Sequence, residues 1–517
     1  MRATEYQLAR NIVPPAPLNE VGRAESQLSL ILDEIQGDRE FHIEPGAAKK
    51  FRHNATRALR GFKLTDLCAL IIGFVGSWAL AFAVNTLFLG RYDLSFGVQD
   101  GVVKIGQSLL VGCFVIAWFA HTGHYRMRMP FWTETKKIID AVGFAMLIDI
   151  FFRFVVKQDF SRLWLISGWV FAAVGIVCFR ALWRSYMRHK GLWDVSTLLV
   201  GAGETAREAC RALSSEPGLG FSIVAQIDNL PIAFHRAGRS WEALCAMHNA
   251  DYAIIALDGG DLKGAGPAFA QLMRENVPFS VSPPLHHVPV LGMVPQYFFN
   301  HDAMLLTHNH RLNQRLPRLI KRGFDITLAS LALLVLSPIL LTVALIVKMD
   351  GGNALFGHKR LGLNGKAFPC LKFRSMIINS DIALKKYLAE NAEARQEWQR
   401  DHKLKNDPRV TRIGKFLRMT SIDELPQLIN VLRGDMSIVG PRPIIVAETE
   451  KYDSDISHYY RVRPGITGLW QVSGRNDVSY AERVSMDSWY VRNWSLWHDI
   501  AIICKTVPVV LKRSGAY

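Results

Sequence analysis

Four long apolar segments follow one another in the first third of the chain, over residues 64–89, 102–120, 138–156 and 163–181. Each is close to the ~20 residues that an α-helix needs to cross the hydrocarbon core of a bilayer. Four such runs in a row exceed what the core of a soluble domain needs, which makes buried helices of a soluble protein the weaker alternative. The pattern predicts a unit of four transmembrane helices within residues 56–190.

Charged residues at the ends of these segments orient the unit. Cations precede the first segment, separate the second from the third and follow the fourth: Arg57, Arg60, Lys63, Arg126, Arg128, Lys136, Lys137, Arg180, Arg184, Arg188 and Lys190. Because the two other loops hold fewer cations, the positive-inside rule places both ends of the unit in the cytoplasm. Within the third segment, Asp149 and Arg153 are four residues apart, which predicts an ion pair on one helix face.

After residue 190 the pattern changes to short apolar strands that alternate with helical stretches. This alternation predicts a Rossmann-like α/β domain with a parallel sheet over residues 195–305. Gly201, Gly203 and Ala206 approximate a dinucleotide fingerprint, with Asp228 on the next strand. Since the third glycine is absent, the stronger alternative is a tight turn that binds nothing or binds something else.

A fifth apolar run covers residues 324–349, and its flanks argue against a simple span. Cations lie on both sides of it: Arg311, Arg315, Arg318, Lys321, Arg322, Lys348, Lys359 and Arg360. Both ends therefore have the character of cytoplasmic flanks. In the middle, Pro338 removes a backbone donor and kinks a helix, and Ser337 can bond to a freed carbonyl. The sequence favours a re-entrant helix over 318–349, broken at Ser337-Pro338, with a straight span as the alternative.

Composition bounds the rest of the picture. A chain of 517 residues is too long for one core, so we expect several domains. It is 50% hydrophobic with a net charge of +16, which suits a membrane protein that meets anionic lipid or phosphorylated substrates. Seven cysteines without a C-x-x-C pair favour a reducing cytoplasm. Residues 1–55 are polar and lack a cleavable signal, which predicts disorder.

The C-terminal third places an adjacent acid pair, Asp423-Glu424, among many cations. Ser421-x-x-Glu424 is also a capping box, and Pro426 suits an early helical position, so a plain helix cap is an alternative that is compatible with a chemical role. Adjacent carboxylates repel unless a cation lies between them, and Mg²⁺ takes oxygen ligands together with phosphates. An aspartate can also attack phosphorus and form an aspartyl-phosphate. So many cations suit a ligand with several phosphates.

From about residue 310 to 517 the chain resembles the bacterial sugar transferases of the monotopic phosphoglycosyl transferase superfamily. The matching pieces are Ser337-Pro338, KFRSM, LRMTSIDELPQLINVLRGDMSIVGPRP and RPGITGLWQVSGRND. The N-terminal parts are similar to long-form members, and the C-terminus looks closest to undecaprenyl-phosphate galactose phosphotransferases. The implied fold is membrane α plus α/β: four transmembrane helices, a Rossmann-like regulatory or dimerisation domain, and a mostly helical catalytic domain over 310–517 with a re-entrant helix.

The resemblance also implies roles for individual residues. Asp423 matches the nucleophile and Glu424 its partner, and both would hold Mg²⁺. Other residues match motif positions that hold phosphates, Mg²⁺ or the acid pair: Lys372, Arg374, Arg418, Arg442, Arg475, Asp487 and Asp499. One segment, FGHKRLG, departs from the family pattern, since His358 or Lys359 stands where many members have glutamine.

The implied reaction transfers hexose-1-phosphate from a UDP-hexose to undecaprenyl phosphate through a covalent aspartyl-phosphosugar, with release of UMP. Galactose is the expected sugar and glucose the alternative. The resemblance further implies a homodimer in the bacterial inner membrane, with the catalytic domain on the cytoplasmic face, that begins exopolysaccharide or O-antigen synthesis.

Two rival functions use the α/β domain instead: a membrane-anchored nucleotide-sugar dehydratase or epimerase, and a non-enzymatic membrane scaffold. The dehydratase needs a Tyr-x-x-x-Lys after the glycines, whereas the one such spacing, Tyr186 to Lys190, precedes them. The acid pair among cations argues against the scaffold. Nucleic-acid binding fits poorly because the cations cluster beside membrane segments and carboxylates.

Overall fold

A computed structural model describes residues 47–87, 98–158, 161–261, 265–275, 277–285, 288, 293–297, 304–308, 312, 314–349, 351–391, 393–396, 404, 407–473 and 478–511. Most of the segment predicted to be disordered lies outside these residues, although the first helix already begins at Ala47. The chain divides into two compact units: residues 1–131 with 138–284, and residues 132–137 with 285–517.

The N-terminal part of the first unit consists of four long helices: α1 (Ala47–Leu87), α2 (Val98–His121), α3 (Phe131–Val155) and α4 (Arg162–His189). Within the described residues, four helices are long and apolar enough to cross a membrane, namely α1, α2, α4 and a later helix, Arg315–Lys348. The third predicted span is helical but is not among them, since residues 138–155 include Asp140, Asp149 and Arg153. The sequence pattern thus predicted the helices correctly, and α3 carries polar groups that need partners.

Those partners lie within the four helices. The Arg153 guanidinium donates to Asp149 Oδ1 at 2.9 Å, which confirms the predicted ion pair. Ser108 Oγ donates to Asp149 Oδ2 at 2.7 Å and Trp169 Nε1 donates to the same oxygen at 3.0 Å. Both charged side chains are almost fully buried, so these bonds offset the cost of desolvating them.

A second buried ion pair joins α1 to α4. Arg180 Nε donates to Asp66 Oδ1 at 2.8 Å, and the Tyr125 hydroxyl donates to Asp66 Oδ2 at 2.7 Å. Neither Asp66 nor Arg180 has any exposed surface. Breaking such a pair would leave an uncompensated buried charge, so the pair holds the first and fourth helices together.

The rest of the first unit is an α/β fold. Its four-stranded parallel sheet has the order β2-β1-β3-β4, as the alternating pattern predicted. The elements are β1 (Val195–Val200), α5 (Glu204–Ser215), β2 (Phe221–Ile227), α6 (Leu230–Arg236), α7 (Trp241–Met247), β3 (Tyr252–Ile255), α8 (Gly266–Leu272) and β4 (Phe279–Val281). Strand β1 is central and buried along most of its length, because Leu198, Leu199 and Val200 have no polar atoms that need water.

The second unit begins with the antiparallel pair β5 (Met293–Tyr297) and β6 (Met304–His308), followed by the long helix α9 (Arg315–Lys348). An antiparallel hairpin comes next, β7 (Leu355–Leu361) and β8 (Ala367–Phe373). The remaining elements are α10 (Ser380–Glu390), α11 (Arg412–Met419), α12 (Gln427–Arg433), β9 (Ser437–Val439), α13 (Ile456–Tyr459), β10 (Gly465–Thr467), α14 (Leu469–Ser473), α15 (Tyr480–Arg492) and α16 (Leu496–Leu511), with β9 and β10 parallel.

Helix α9 runs without interruption through Pro338. The predicted break at Ser337-Pro338 is therefore wrong as a gap in the helix. The reason is local: proline cannot donate to the Leu334 carbonyl one turn earlier, and Ser337 Oγ donates to that carbonyl instead, at 2.8 Å. A helix can bend at proline without ending, so a continuous α9 is compatible with a bend at Pro338.

The two ends of α9 are both fixed within the second unit. Near its start, Lys321 Nζ donates to Asp499 Oδ2 at 2.8 Å and to the Val439 carbonyl at 3.1 Å. Near its end, the Arg374 guanidinium donates to the Val347 carbonyl at 2.8 Å. Apolar side chains of the intervening turns are exposed, with Leu334 at 73%. A helix that is anchored at both ends and apolar between them is suited to contact with lipid.

Candidate active site

The acid pair lies in a short turn between α11 and α12. This turn is a 3₁₀ helix, Ile422–Glu424, and it starts from Ser421, whose φ of 55° is in the left-handed region. Ser421 makes no side-chain cap bond, so the capping-box alternative is wrong, because an N-cap residue needs extended backbone angles. Asp423 is buried at 8% exposure, while the Glu424 side chain is 37% exposed.

Burial has a chemical consequence for Asp423. The pKa of its carboxyl is raised to about 6, because burial and the negative charge of Glu424 together outweigh the opposing charges of Lys372 and Arg418. A buried carboxylate beside an anionic group is poorly solvated. Such a carboxylate interacts more strongly with a bound cation or with an electrophilic phosphorus than a solvated carboxylate does.

Lys372 is placed by strand β8. Its Nζ donates to Glu424 Oε1 at 2.6 Å, and both side chains are about one-third exposed. An exposed pair of this kind contributes little to stability. The pair matters for its position, because it holds the Glu424 carboxylate and the Lys372 ammonium group beside Asp423.

Two further predicted cations lie near this turn. Arg418, in the last turn of α11, donates from Nε to Ser375 Oγ at 2.9 Å, and its charge opposes the rise that burial causes in the pKa of Asp423. Arg374 is committed to the backbone instead: it donates to the carbonyls of Asn353 at 3.0 Å and Val347 at 2.8 Å. Its first role is therefore to hold the end of α9, although one guanidinium nitrogen, Nη1, has no partner.

Asp487 and Arg442 differ in their exposure to solvent. Asp487 is 2% exposed and accepts a bond from the Tyr452 hydroxyl at 2.8 Å. Burial raises its pKa to about 7, against the effects of the Tyr452 bond and the charges of Arg483 and Arg442. Arg442 is exposed and lies 5.5 Å from the centre of the Trp470 ring. Arg442 can thus meet a phosphate from solvent, whereas Asp487 is buried, and a ligand role for Asp487 stays a prediction.

The raised pKa of Asp487 predicts a pH dependence of stability. The folded protein holds this proton up to about pH 7, whereas the unfolded chain releases it near pH 4. The folded state binds more protons between these values, so the free energy of unfolding falls as pH rises from 4 to 7. Asp487→Asn removes this proton, and we expect a flatter pH profile of the unfolding midpoint in detergent. A profile as steep as that of the wild type would contradict the assignment.

Asp499 is buried as well. It has no exposed surface, and donors occupy both its oxygens: the Tyr490 hydroxyl at 2.7 Å, Lys321 Nζ at 2.8 Å and Trp494 Nε1 at 3.1 Å. Asp499 joins α16 and α15 to the start of α9, and the phosphate or metal role that the sequence suggests for it stays a prediction. Arg475 lies outside the described residues.

The donor set at the acid pair fits a magnesium ion. Among the described residues, no group of three or more His, Cys, Asp and Glu side chains could hold a metal. Asp423 and Glu424 offer two carboxylates in adjacent positions, and Mg²⁺ commonly binds one or two carboxylates together with substrate phosphates.

An apolar cavity of about 800 Å³ borders the segment of the acid pair. Its lining comes from the middle of α9, the hairpin and the start of α12: Leu333, Ser337, Pro338, Leu340, Leu341, Ala344, Leu355, Phe373, Pro426 and Ile429. Pro426 is two residues after Glu424, so the same segment contributes to a charged site and to an apolar cavity. That combination suits a substrate with a phosphate head and a hydrocarbon chain.

The side chain of Asp258 occupies the glycine turn between β1 and α5. Asp258 accepts bonds from the backbone N–H groups of Glu204 at 2.9 Å and Thr205 at 3.1 Å, and from the Thr205 hydroxyl. A Cβ on Gly203 would collide with Asp258 Oδ2. The glycine makes room for a carboxylate at the start of α5, where a dinucleotide would place its pyrophosphate. The tight-turn alternative is therefore the better description.

We expect Asp258→Asn to destabilise the first unit by about 1–2 kcal/mol, the usual cost of losing a helix-capping carboxylate. The measurement is the thermal unfolding midpoint of the purified protein in detergent. Asp228→Asn is the matched control, because Asp228 is exposed and would matter for a ribose but not for the cap. A midpoint that NAD raises in the wild type, and not in Asp228→Asn, would contradict this description.

Comparison with known proteins agrees with the geometry of the second unit. The model of the bacterial sugar transferase family matches residues 316–513, and a model described as a CoA-binding domain matches residues 120–243. The chain is 40% identical to a UDP-galactose-lipid carrier transferase of Erwinia amylovora, over 86% of this chain and 96% of the relative. The chain belongs to the bacterial sugar transferase family. It is therefore an enzyme, and the acid pair lies within the part that the family model matches.

Two other relatives cover most of the sugar transferase chain. It is 41% identical to the undecaprenyl-phosphate galactose phosphotransferase of Salmonella typhimurium, over 80% of this chain and 89% of the relative. It is 33% identical to the UDP-glucose:undecaprenyl-phosphate glucose-1-phosphate transferase of Escherichia coli, over 81% of this chain and 92% of the relative. Relatives named for galactose and for glucose thus each match most of this chain.

Proposed function

We propose that this sugar transferase moves hexose-1-phosphate from a UDP-hexose to undecaprenyl phosphate and releases UMP. The observation that carries the proposal is the placement of Asp423: buried, beside Glu424 and its partner Lys372, in a segment that also borders an apolar cavity. The names of the relatives supply the substrate class, and the charged site beside the cavity supports it for this chain.

The first step would be an attack by an Asp423 carboxylate oxygen on the sugar-bearing phosphorus of UDP-hexose. A new P–O bond forms, the phosphoanhydride bond breaks, and UMP leaves with the bonding electrons. In the second step, a phosphate oxygen of undecaprenyl phosphate attacks the phosphosugar on Asp423. The acyl-phosphate bond breaks, the carboxylate is regenerated, and the product is a lipid-linked diphosphate sugar.

The protein's cations would act on charge rather than on protons. Lys372 and Arg418 lie close enough to oppose the rise that burial causes in the pKa of Asp423, so they can stabilise negative charge that moves from the carboxylate to the departing phosphate. Arg442, exposed at the edge of this region, would hold a further phosphate. Asp423 and Glu424 would hold Mg²⁺ when it is bound, which supplies neutralisation of the diphosphate charge.

The acceptor side would be built by α9. Pro338 and Ser337 line the cavity next to Pro426, and a hydrocarbon chain lying there would bring its phosphate head to the acid pair. We propose that α9 bends at Pro338 and returns to the cytoplasmic face of the bacterial inner membrane. Its two anchored ends, at Lys321 and Val347, support this arrangement, as do the cations on both flanks.

Galactose is the proposed sugar because two relatives that match most of the chain are named for galactose. Glucose is the alternative because a third such relative is named for glucose. The proposal places the reaction at the start of exopolysaccharide or O-antigen synthesis, in a homodimer. A dehydratase that uses the α/β domain is disfavoured, since Asp258 occupies the position a dinucleotide phosphate would need.

The test is UMP release from a panel of UDP-sugars by the purified enzyme with Mg²⁺ and undecaprenyl phosphate. We expect UMP from UDP-galactose, and less from UDP-glucose, with formation of a lipid-linked product. UMP from UDP-glucose alone would select the alternative sugar. No UMP from any UDP-hexose, with lipid and metal both present, would contradict the proposed reaction.

A further inference from the structure

One face of the β7–β8 hairpin connects the acid pair to Arg442. In the antiparallel register, Phe356 pairs with Lys372, His358 with Cys370 and Arg360 with Phe368. Directly paired residues share a face, and residues two apart on a strand share it as well. Lys372, His358 and Arg360 therefore project from the same side of the hairpin.

The two cations at the ends of this row lead to different parts of the site. Lys372 Nζ contacts the Glu424 carboxylate at 2.6 Å. Arg360 donates to the Pro443 carbonyl at 3.2 Å, directly after Arg442. Burial lowers the pKa of Arg360, and the nearby charge of Arg442 adds to this effect. His358 thus stands between the cation of the acid pair and the cations next to Arg442, where the proposed donor would extend.

His358 differs from its neighbours in charge. Partial burial, together with the charges of Arg360 and Lys372, lowers the pKa of its imidazole, so the ring is neutral at pH 7. Its side chain is exposed, and no hydrogen bond joins it to another residue in the described part of the chain. A neutral imidazole offers one donor and one acceptor, which matches a hydroxyl group, whereas the flanking cations match phosphates.

We propose that His358 contacts a hydroxyl group of the donor's hexose and helps to determine which hexose the enzyme accepts. This inference rests on the proposed function and concerns the same site. A hydrogen bond to one hydroxyl distinguishes two hexoses that differ in the orientation of that group, because the wrong epimer leaves polar groups unpaired.

The experiment compares His358→Gln with the wild type for UDP-galactose and UDP-glucose, using kcat/KM from UMP release. We expect the galactose-to-glucose ratio to change by about tenfold, the size expected for one hydrogen bond. Inhibition by UMP should be unchanged within about twofold, since UMP has no hexose. A residue that merely supported the hairpin would alter both sugars and UMP alike.

Lys359→Gln is the matched control. Lys359 is exposed and pairs with Pro369, on the opposite face of the same hairpin, so this variant should keep the wild-type sugar ratio. An unchanged ratio in His358→Gln, an equal change in Lys359→Gln or a changed UMP inhibition constant would each overturn the proposal for His358 alone. A wild-type enzyme that releases no UMP from any UDP-hexose would overturn the proposed function as well.

Discussion

Asp423→Asn is expected to abolish sugar transfer while leaving the protein folded. The amide has nearly the same shape but is a poor nucleophile, so UMP release should fall by at least about a thousandfold. Because the buried carboxyl of Asp423 is itself destabilising when ionised, as its raised pKa shows, the variant should be as stable as the wild type above pH 6. The measurement is UMP release with undecaprenyl phosphate, alongside the thermal midpoint.

Glu424→Gln is the informative comparison. This variant keeps the shape of the Glu424 side chain and removes the charge that Lys372 contacts. The proposed nucleophile, Asp423, stays in place. We expect a smaller loss than in Asp423→Asn, with residual activity that responds to the Mg²⁺ concentration. Equal UMP release by Asp423→Asn and the wild type would show that Asp423 has no chemical role.

Breaking the buried pair of Lys321 and Asp499 should have the largest effect on stability. Lys321→Met leaves the Asp499 carboxylate buried without its cation, although Tyr490 and Trp494 still donate to it. Removal of one partner of a buried pair costs about 3–5 kcal/mol. We expect a fall of roughly 10 °C in the unfolding midpoint of the purified protein in detergent.

The double variant Lys321→Met, Asp499→Asn separates pairing from other effects. Its loss in free energy of unfolding should be smaller than the sum of the losses in the two single variants, because neither charge is left buried without a partner. Glu450→Gln, at an exposed position, should have no effect on the midpoint. A raised KM for UDP-hexose in Asp499→Asn with an unchanged midpoint would instead support a ligand role for Asp499.

The sequence predicted features that depend on local pattern. The four N-terminal helices follow from the length of their apolar runs, and the Asp149–Arg153 pair follows from a spacing of four on a helix. The parallel sheet follows from strands that alternate with helices. The acid pair could be singled out because two adjacent carboxylates among cations indicate either a helix cap or a site for a bound cation. The backbone angles of Ser421 exclude the helix cap.

Features set by distant partners could not be predicted in this way. Arg180 and Asp66 are 114 residues apart, and Lys321 and Asp499 are 178 apart. Likewise, Asp258 contacts the backbone at the glycine turn, 54 residues earlier. Its carboxylate occupies the N–H groups that a dinucleotide phosphate would otherwise bind. The burial and the hydrogen-bond partners of Asp487 and Asp499 could not be predicted either, because they arise only from tertiary packing.

Trapping of the intermediate tests the central claim most directly. The purified enzyme would be incubated with UDP-galactose and Mg²⁺, without lipid acceptor, and analysed by peptide mass spectrometry. The account predicts a burst of about one UMP per active chain and a hexose-phosphate on the peptide that contains Asp423, which disappears when undecaprenyl phosphate is added. Full turnover with the acceptor, but no UMP and no adduct without it, would contradict a covalent intermediate on Asp423.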